Sequence, residues 1–275
     1  VSGAMAQLTP DRRATDLPQR IVSGIVMAVP VLGAMYVGSP YFDVLVAVAG
    51  IVMVFEWNRM ALGPHILAVD VVAAGAVVAA VAALAVGHGV VGFVVLAAGV
   101  LGSLVLARGR PWSALGVLYV GLPCLAFVWL RADEVVGRST VFWLLALVWA
   151  SDIGAYAFGR AIGSIRLAPA LSPNKTWAGL LGGVGCGALV GAAAAVALGK
   201  ESAWPLMLAS GGLAAVAQAG DLIESAAKRY FGVKDTGTLI PGHGGLLDRS
   251  DALLVAVSVA ALIAIVHQGS MLIWL

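Results

Sequence analysis

The sequence predicts an all-α fold: a polytopic membrane protein of about nine transmembrane helices, N-terminus cytoplasmic and C-terminus outside. Three observations predict it. The chain is 61% hydrophobic and only 11% charged, with a mean hydropathy of +1.01. A soluble domain carries about 25% charged residues, so this chain has too little charge to solvate a globule of its size. The apolar residues fall in long Ala/Val/Leu runs without strand-like alternation. A backbone in lipid must satisfy its own hydrogen bonds, so such runs are helices rather than barrel strands. Charge placement is the third observation. With residues 224–251 in the cytoplasm and nine alternating spans, 13 of the 16 basic residues fall inside, and only Arg131, Arg138 and Lys200 fall outside. That is the positive-inside bias of a correct topology, which one missed or invented span would scramble.

In chain order, residues 1–20 form a polar cytoplasmic segment with Arg12, Arg13 and Arg20, and Met5 reads as a natural start. No secretory signal is expected, because many further apolar segments follow the first. Apolar runs at 21–37, 42–57, 66–86, 90–107 and 113–130 make an N-terminal transmembrane bundle over residues 21–130. Runs at 140–159, 176–198, 203–223 and 252–272 belong to a catalytic region over residues 131–275. A spanning helix needs roughly 20 residues, so the shorter runs draw on their flanks. In the seventh run Gly179, Gly183, Gly187 and Gly191 recur every four residues, one stripe that lets helix backbones approach closely. Packing within the chain is the expectation for this stripe, and a homodimer interface is the alternative. The two cysteines, Cys124 and Cys186, lie in apolar runs and offer neither a disulfide framework nor thiolate metal spacing.

Charge concentrates in one place. "SAAKRYFGVKDTGTLIPGHGGLLDRSD", residues 225–251, holds three aspartates, four basic residues, a histidine and five glycines. Just upstream, "AGDLIESAAKRY" places Asp221, Glu224, Ser225 and Lys228 at i, i+3, i+4 and i+7, on one helical face. A carboxylate at membrane depth is costly unless paired or metal-bound, which makes Asp221 a functional candidate, the alternative being a snorkelling or salt-bridged acid at the interface. "PGHGGLLDRSD" follows: a glycine turn where backbone can approach a ligand, then Asp248 and Asp251 around the start of the next helix, with Ser250 or Asp251 as its cap. The stretch between Asp221 and Asp248 is long enough to fold back over a short interfacial helix. Carboxylates and hydroxyls without thiolates favour a hard cation, Mg²⁺ with Mn²⁺ as substitute, over zinc. Lys228, Arg229, Lys234 and Arg249 interleave with the acids; basic side chains alone would fit the positive-inside rule, but acids and bases together fit a metal–phosphate site. A second stretch on the same side, "SDIGAYAFGRAIGSIRLAPALSPNKTWAG", carries Asp152 within an apolar run. Its "SPNKT" reads as a helix start, with Ser172 as cap and Lys175 as a phosphate grip.

The pattern Ser225, Lys228-Arg229, Lys234-Asp235, Pro241-Gly242-His243-Gly244-Gly245, Asp248-Arg249 and Asp251 closely resembles the C-terminal signature of the phosphatidate cytidylyltransferases. "SPNKTWAG" and "SDIGAYAFGR" resemble other segments of that family, so the specific likeness covers about residues 140–255. One position departs: the family commonly has an acidic residue after the tryptophan, where this chain has Ala178. The resemblance implies transfer of the cytidylyl group of CTP to phosphatidic acid, giving CDP-diacylglycerol and pyrophosphate. It also implies a site at the cytoplasmic face of a bacterial inner membrane, where a soluble nucleotide meets a lipid headgroup. The expected partners are CTP, phosphatidic acid and the bilayer, and not nucleic acid.

The roles divide as follows. Asp221, Asp248, Lys228 and Arg249 are the expected catalytic residues, and Asp221, Asp248 and Asp251 the metal ligands. Ser172, Asn174, Lys175, Thr176, Ser225, Arg229, Lys234, Asp235, His243, Gly244 and Gly245 are expected to bind or orient substrate. Two rivals stand beside this reading: a CTP-dependent enzyme using another lipid acceptor, and an ion-coupled transporter using Asp152 and Asp221. Crowding of charge at one membrane face and the absence of an internal inverted repeat argue against the transporter.

Overall fold

A computed structural model describes residues 28–63, 66–163, 165–237 and 244–275. The N-terminal cytoplasmic segment, the beginning of the first span, Pro241, Gly242 and His243 lie outside the described residues. Eight described helices are long and apolar enough to cross a membrane: α2 (Tyr41–Leu62), α3 (Leu67–Ala85), α4 (Gly89–Leu106), α5 (Pro111–Arg131), α6 (Gly137–Ile162), α7 (Trp177–Ala197), α8 (Trp204–Tyr230) and α9 (Leu247–Val266). A shorter apolar helix, α1 (Ala28–Val37), precedes them, and the single turn α10 (Met271–Trp274) follows. This is a multi-pass, all-α membrane protein.

Two apolar cores hold the bundle. One joins α1, α2, α3 and α5 around Phe42, Val54, Val77 and Val117; the other joins α6, α8 and α9 around Leu144, Leu206, Ala214 and Ala256. α9 belongs to both, giving Leu254 to the first and Val257 and Ala260 to the second. The glycine stripe is used within the chain. A Cβ at Gly179 or Gly183 would lie 2.8 Å from the Ala155 or Ser151 carbonyl of α6, and one at Gly191 would lie 2.5 Å from the Leu206 carbonyl of α8. α7 is therefore clamped between α6 and α8 at backbone contact, which only glycine allows.

Four local expectations are corrected. "SPNKT" is a strand, β2 (Ser172–Thr176), paired antiparallel with β1 (Arg166–Ala168) across a turn that begins at Pro169. A two-stranded ribbon has only edges, so Pro173, which lacks an N–H, is tolerated there. The cap of α7 is then Thr176 rather than Ser172, its hydroxyl accepting from the Gly179 N–H at 3.1 Å. α8 runs on to Tyr230, so no separate interfacial helix stands among the described residues of the connection. Its 27 residues span about 40 Å at 1.5 Å per residue, against a hydrocarbon core of about 30 Å, so its charged last turns extend past the apolar layer. α9 starts at Leu247, with neither Ser250 nor Asp251 as cap; the acceptor for its first N–H groups comes from α2.

Candidate active site

The period of α8 decides what meets what. Asp221, Glu224, Ser225 and Lys228 share one face, and that face turns toward the start of α9. Lys228 Nζ lies 2.6 Å from Glu224 Oε2 and 2.9 Å from Asp248 Oδ1. Glu224 is fully buried and lies within hydrogen-bonding reach of both the Lys228 ammonium and the Asp251 carboxyl group. The ion pair with Lys228 and the contact with Asp251 together offset the cost of keeping this group out of water. Asp248 is held further: its Oδ2 accepts from the Gly245 N–H at 2.9 Å and the Thr236 N–H at 3.0 Å. One carboxylate therefore ties α8, the loop and α9 together.

One turn earlier on α8, Asp221 pairs with Lys175 of β2 at 2.6 Å and accepts from Ser225 Oγ at 3.4 Å. Lys175 also donates to the Gln218 carbonyl at 3.4 Å. β2 carries Lys175 directly ahead of the α7 N-terminus, where the helix dipole favours anions.

These groups line a cavity of about 630 Å³ where β2 ends and α7 starts, α6 and α8 run out and α9 begins. Eight of the expected site residues face it: Asn174, Lys175, Thr176, Asp221, Lys228, Asp248, Arg249 and Asp251. Arg229 donates to the carbonyls of Leu171 and Val233, both at 3.4 Å, tying the end of α8 to the hairpin. Lys234 and Asp235 are exposed, and Gly244 takes the left-handed φ of +86° that the turn requires. Ser172 pairs with Ala168 in the ribbon and does not line the cavity.

Two acids outside the expected set belong to the site. Asp152 of α6 lines the same cavity. Glu56 of α2 is buried and accepts the Leu246 and Leu247 N–H groups at 2.9 and 2.7 Å. The signal for both was legible, a carboxylate inside an apolar run.

The donor set suits a hard cation: Asp152, Asp221, Asp248 and Asp251 outnumber Lys175, Lys228 and Arg249 along the cavity, and all offer oxygen. Among the described residues no three His, Cys, Asp or Glu side chains form a ready-made cage, and lysines pair with the carboxylates of Asp221 and Asp248. Asp221 keeps the freer carboxylate, since Asp248 already accepts from a lysine and two backbone amides.

Lysines paired with carboxylates thus line a cavity where an apolar bundle gathers its charge. The sequence pattern of the cytidylyltransferase family matches residues 18–267. The chain belongs to the cytidylyltransferase family. This membrane enzyme is a nucleotidyltransferase, and its relatives agree along its length. It is 35% identical over 247 residues to a Brucella suis protein named phosphatidate cytidylyltransferase, covering 89% of this chain and 92% of that one. It is 38% identical over 162 residues to a Staphylococcus epidermidis protein of the same name, covering 56% of this chain and 61% of that one. A Staphylococcus haemolyticus protein, also so named, is 40% identical over 141 residues, covering 51% and 53%.

Proposed function

We propose that the enzyme transfers the cytidylyl group of CTP to phosphatidic acid, forming CDP-diacylglycerol and releasing pyrophosphate, at the cytoplasmic face of a bacterial inner membrane. One observation carries this reading: the cavity that gathers Lys175, Lys228 and Arg249 against four aspartates opens at one end of a lipid-embedded bundle, in a chain whose relatives bear that name. A phosphatidate oxygen attacks the α-phosphorus of CTP as the bond to the β-phosphate bridging oxygen breaks. The nucleophile is already an anion near neutral pH, so no strong base is needed. The barrier lies in bringing two polyanions together and in the charge on the leaving pyrophosphate.

Each part of the site answers one of these demands. Lys228, fixed between Glu224 and Asp248, offers a pre-aimed positive charge that needs no reorganisation on binding. Lys175, paired with Asp221, would be available to a substrate phosphate if Asp221 held a cation. Asp221, with Asp248 and Asp251, would hold Mg²⁺ or Mn²⁺. The ion when bound would screen the phosphates and stabilise charge on the leaving group. The test is product formation by purified enzyme in detergent or lipid discs. CTP with phosphatidic acid should yield pyrophosphate and CDP-diacylglycerol together. Pyrophosphate released only with another lipid phosphate would overturn the acceptor, and none with any acceptor would overturn the reaction.

A further inference from the structure

The first span of described core, α2, reaches the site through one buried acid. Glu56 is 7% exposed, and its carboxylate sits against Gly237, Gly245, Leu246 and Leu247. Its Oε1 accepts from the Leu246 N–H at 2.9 Å and its Oε2 from the Leu247 N–H at 2.7 Å. Those N–H groups belong to the first turn of α9, which has no side-chain cap of its own. A helix leaves its first N–H groups without intrahelical partners, and a carboxylate is their best acceptor. α9 in turn carries Asp248, Arg249 and Asp251 into the cavity.

Two glycines make room for this acid. A Cβ at Gly237 would lie 2.6 Å from Glu56 Oε1, and one at Gly245 would lie 2.8 Å from both carboxylate oxygens. For Gly237 the three nearest atoms all belong to Glu56. Close approach to the carboxylate thus accounts for glycine at a described position, Gly237, whose space nothing else crowds as tightly.

We infer that Glu56 is a positioning residue for the transfer reaction, setting the start of α9, and so the aim of Asp248 and Arg249, from the opposite half of the chain. The inference deepens the proposed reaction and rests on it for its kinetic arm alone. Its structural arm is hydrogen exchange. In the wild-type enzyme the peptide containing Leu246 and Leu247 exchanges slowly. In Glu56→Gln, which keeps the shape but offers one acceptor instead of two, that peptide exchanges at least tenfold faster, while peptides from α3 and α6 do not change.

The kinetic arm uses the same proteins. Glu56→Gln lowers kcat with CTP and phosphatidic acid by tenfold or more at an unchanged amount of folded enzyme. A purely structural role would lower the folded fraction and leave kcat per folded molecule alone. Gly237→Ala also lowers kcat, and does so less in a Glu56→Asp background, where the shortened side chain vacates the space. Wild-type exchange at Leu246 and Leu247 in folded Glu56→Gln, or a wild-type kcat in it, overturns the inference. Inactivity of the wild-type enzyme itself, with faster exchange in the variant, would overturn the proposed reaction and leave the positioning contact standing.

Discussion

Lys228 shows how a single side chain connects stability to chemistry. Its ammonium group is the partner of a carboxylate with no exposure at all, and it also faces the cavity. Removing one member of a buried pair leaves an uncompensated charge, a loss of about 3–5 kcal/mol. Burial of Glu224 makes Lys228 part of the packed structure as well as of the cavity. Lys228→Met is therefore expected to unfold at clearly lower temperature than wild type in detergent. Adding Glu224→Gln removes the stranded charge and should recover most of the loss without recovering activity. A Lys228→Met single variant as stable as wild type would contradict this account of the pair. The alignment of Asp221, Glu224, Ser225 and Lys228 was legible, because helical period depends on sequence alone. Which acid holds which lysine was not, because Lys175 reaches Asp221 only once α7 and α8 have packed.

At the scale of elements, hydropathy marked each of the eight spans found among the described residues, since burial in lipid acts on composition. Ends were less legible. The start of α9 is set by Glu56, 190 residues away from Leu246, and nothing near residue 247 announces it. "SPNKT" has the residues of a helix start, yet pairing with Arg166–Ala168 makes it a strand and moves the cap to Thr176. The glycine stripe was legible as a packing face. It carries its own test with an internal control. Gly183→Ala drives a Cβ to 2.8 Å from the Ser151 carbonyl, and overpacking of this kind costs about 1–3 kcal/mol. Gly185 meets nothing within 4 Å, so Gly185→Ala should be neutral or stabilise by up to about 1 kcal/mol through helix propensity. Unfolding midpoints of the two variants in one detergent decide it; equal midpoints would contradict the clamped geometry of α7.

Across the whole molecule, charge separates the two ends. Arg131 donates to the carbonyls of Met35 and Tyr36 at 2.8 and 3.2 Å, and Arg138 lies 4.6 Å from the Tyr36 ring centre. Lys200 donates to the Ile273 carbonyl at 2.7 Å. The three basic residues assigned outside by the charge rule thus gather where α1, α5 and α9 end, opposite the cavity where α9 begins. We propose that the cavity end is cytoplasmic. Single cysteines at Lys234 and Trp274, in a background lacking Cys124 and Cys186, should react with an impermeant reagent from opposite sides of the membrane. Reaction of both from one side would contradict the topology.

The central claim is that the cavity between α8 and α9 is where the transfer occurs, with Asp221 as the residue that accepts a cation as Lys175 accepts phosphate. Its most direct measurement is turnover of CTP and phosphatidic acid by Asp221→Asn against free Mg²⁺. Asparagine keeps the shape and removes the charge, and unlike Asp248 this aspartate holds no backbone amide in place. Wild-type activity should require Mg²⁺ or Mn²⁺ and vanish with chelator. Asp221→Asn should fall by at least about two orders of magnitude, the scale of losing an electrostatic stabiliser, at limiting Mg²⁺. A folded Asp221→Asn enzyme that turns over at the wild-type rate at limiting Mg²⁺ would contradict the account.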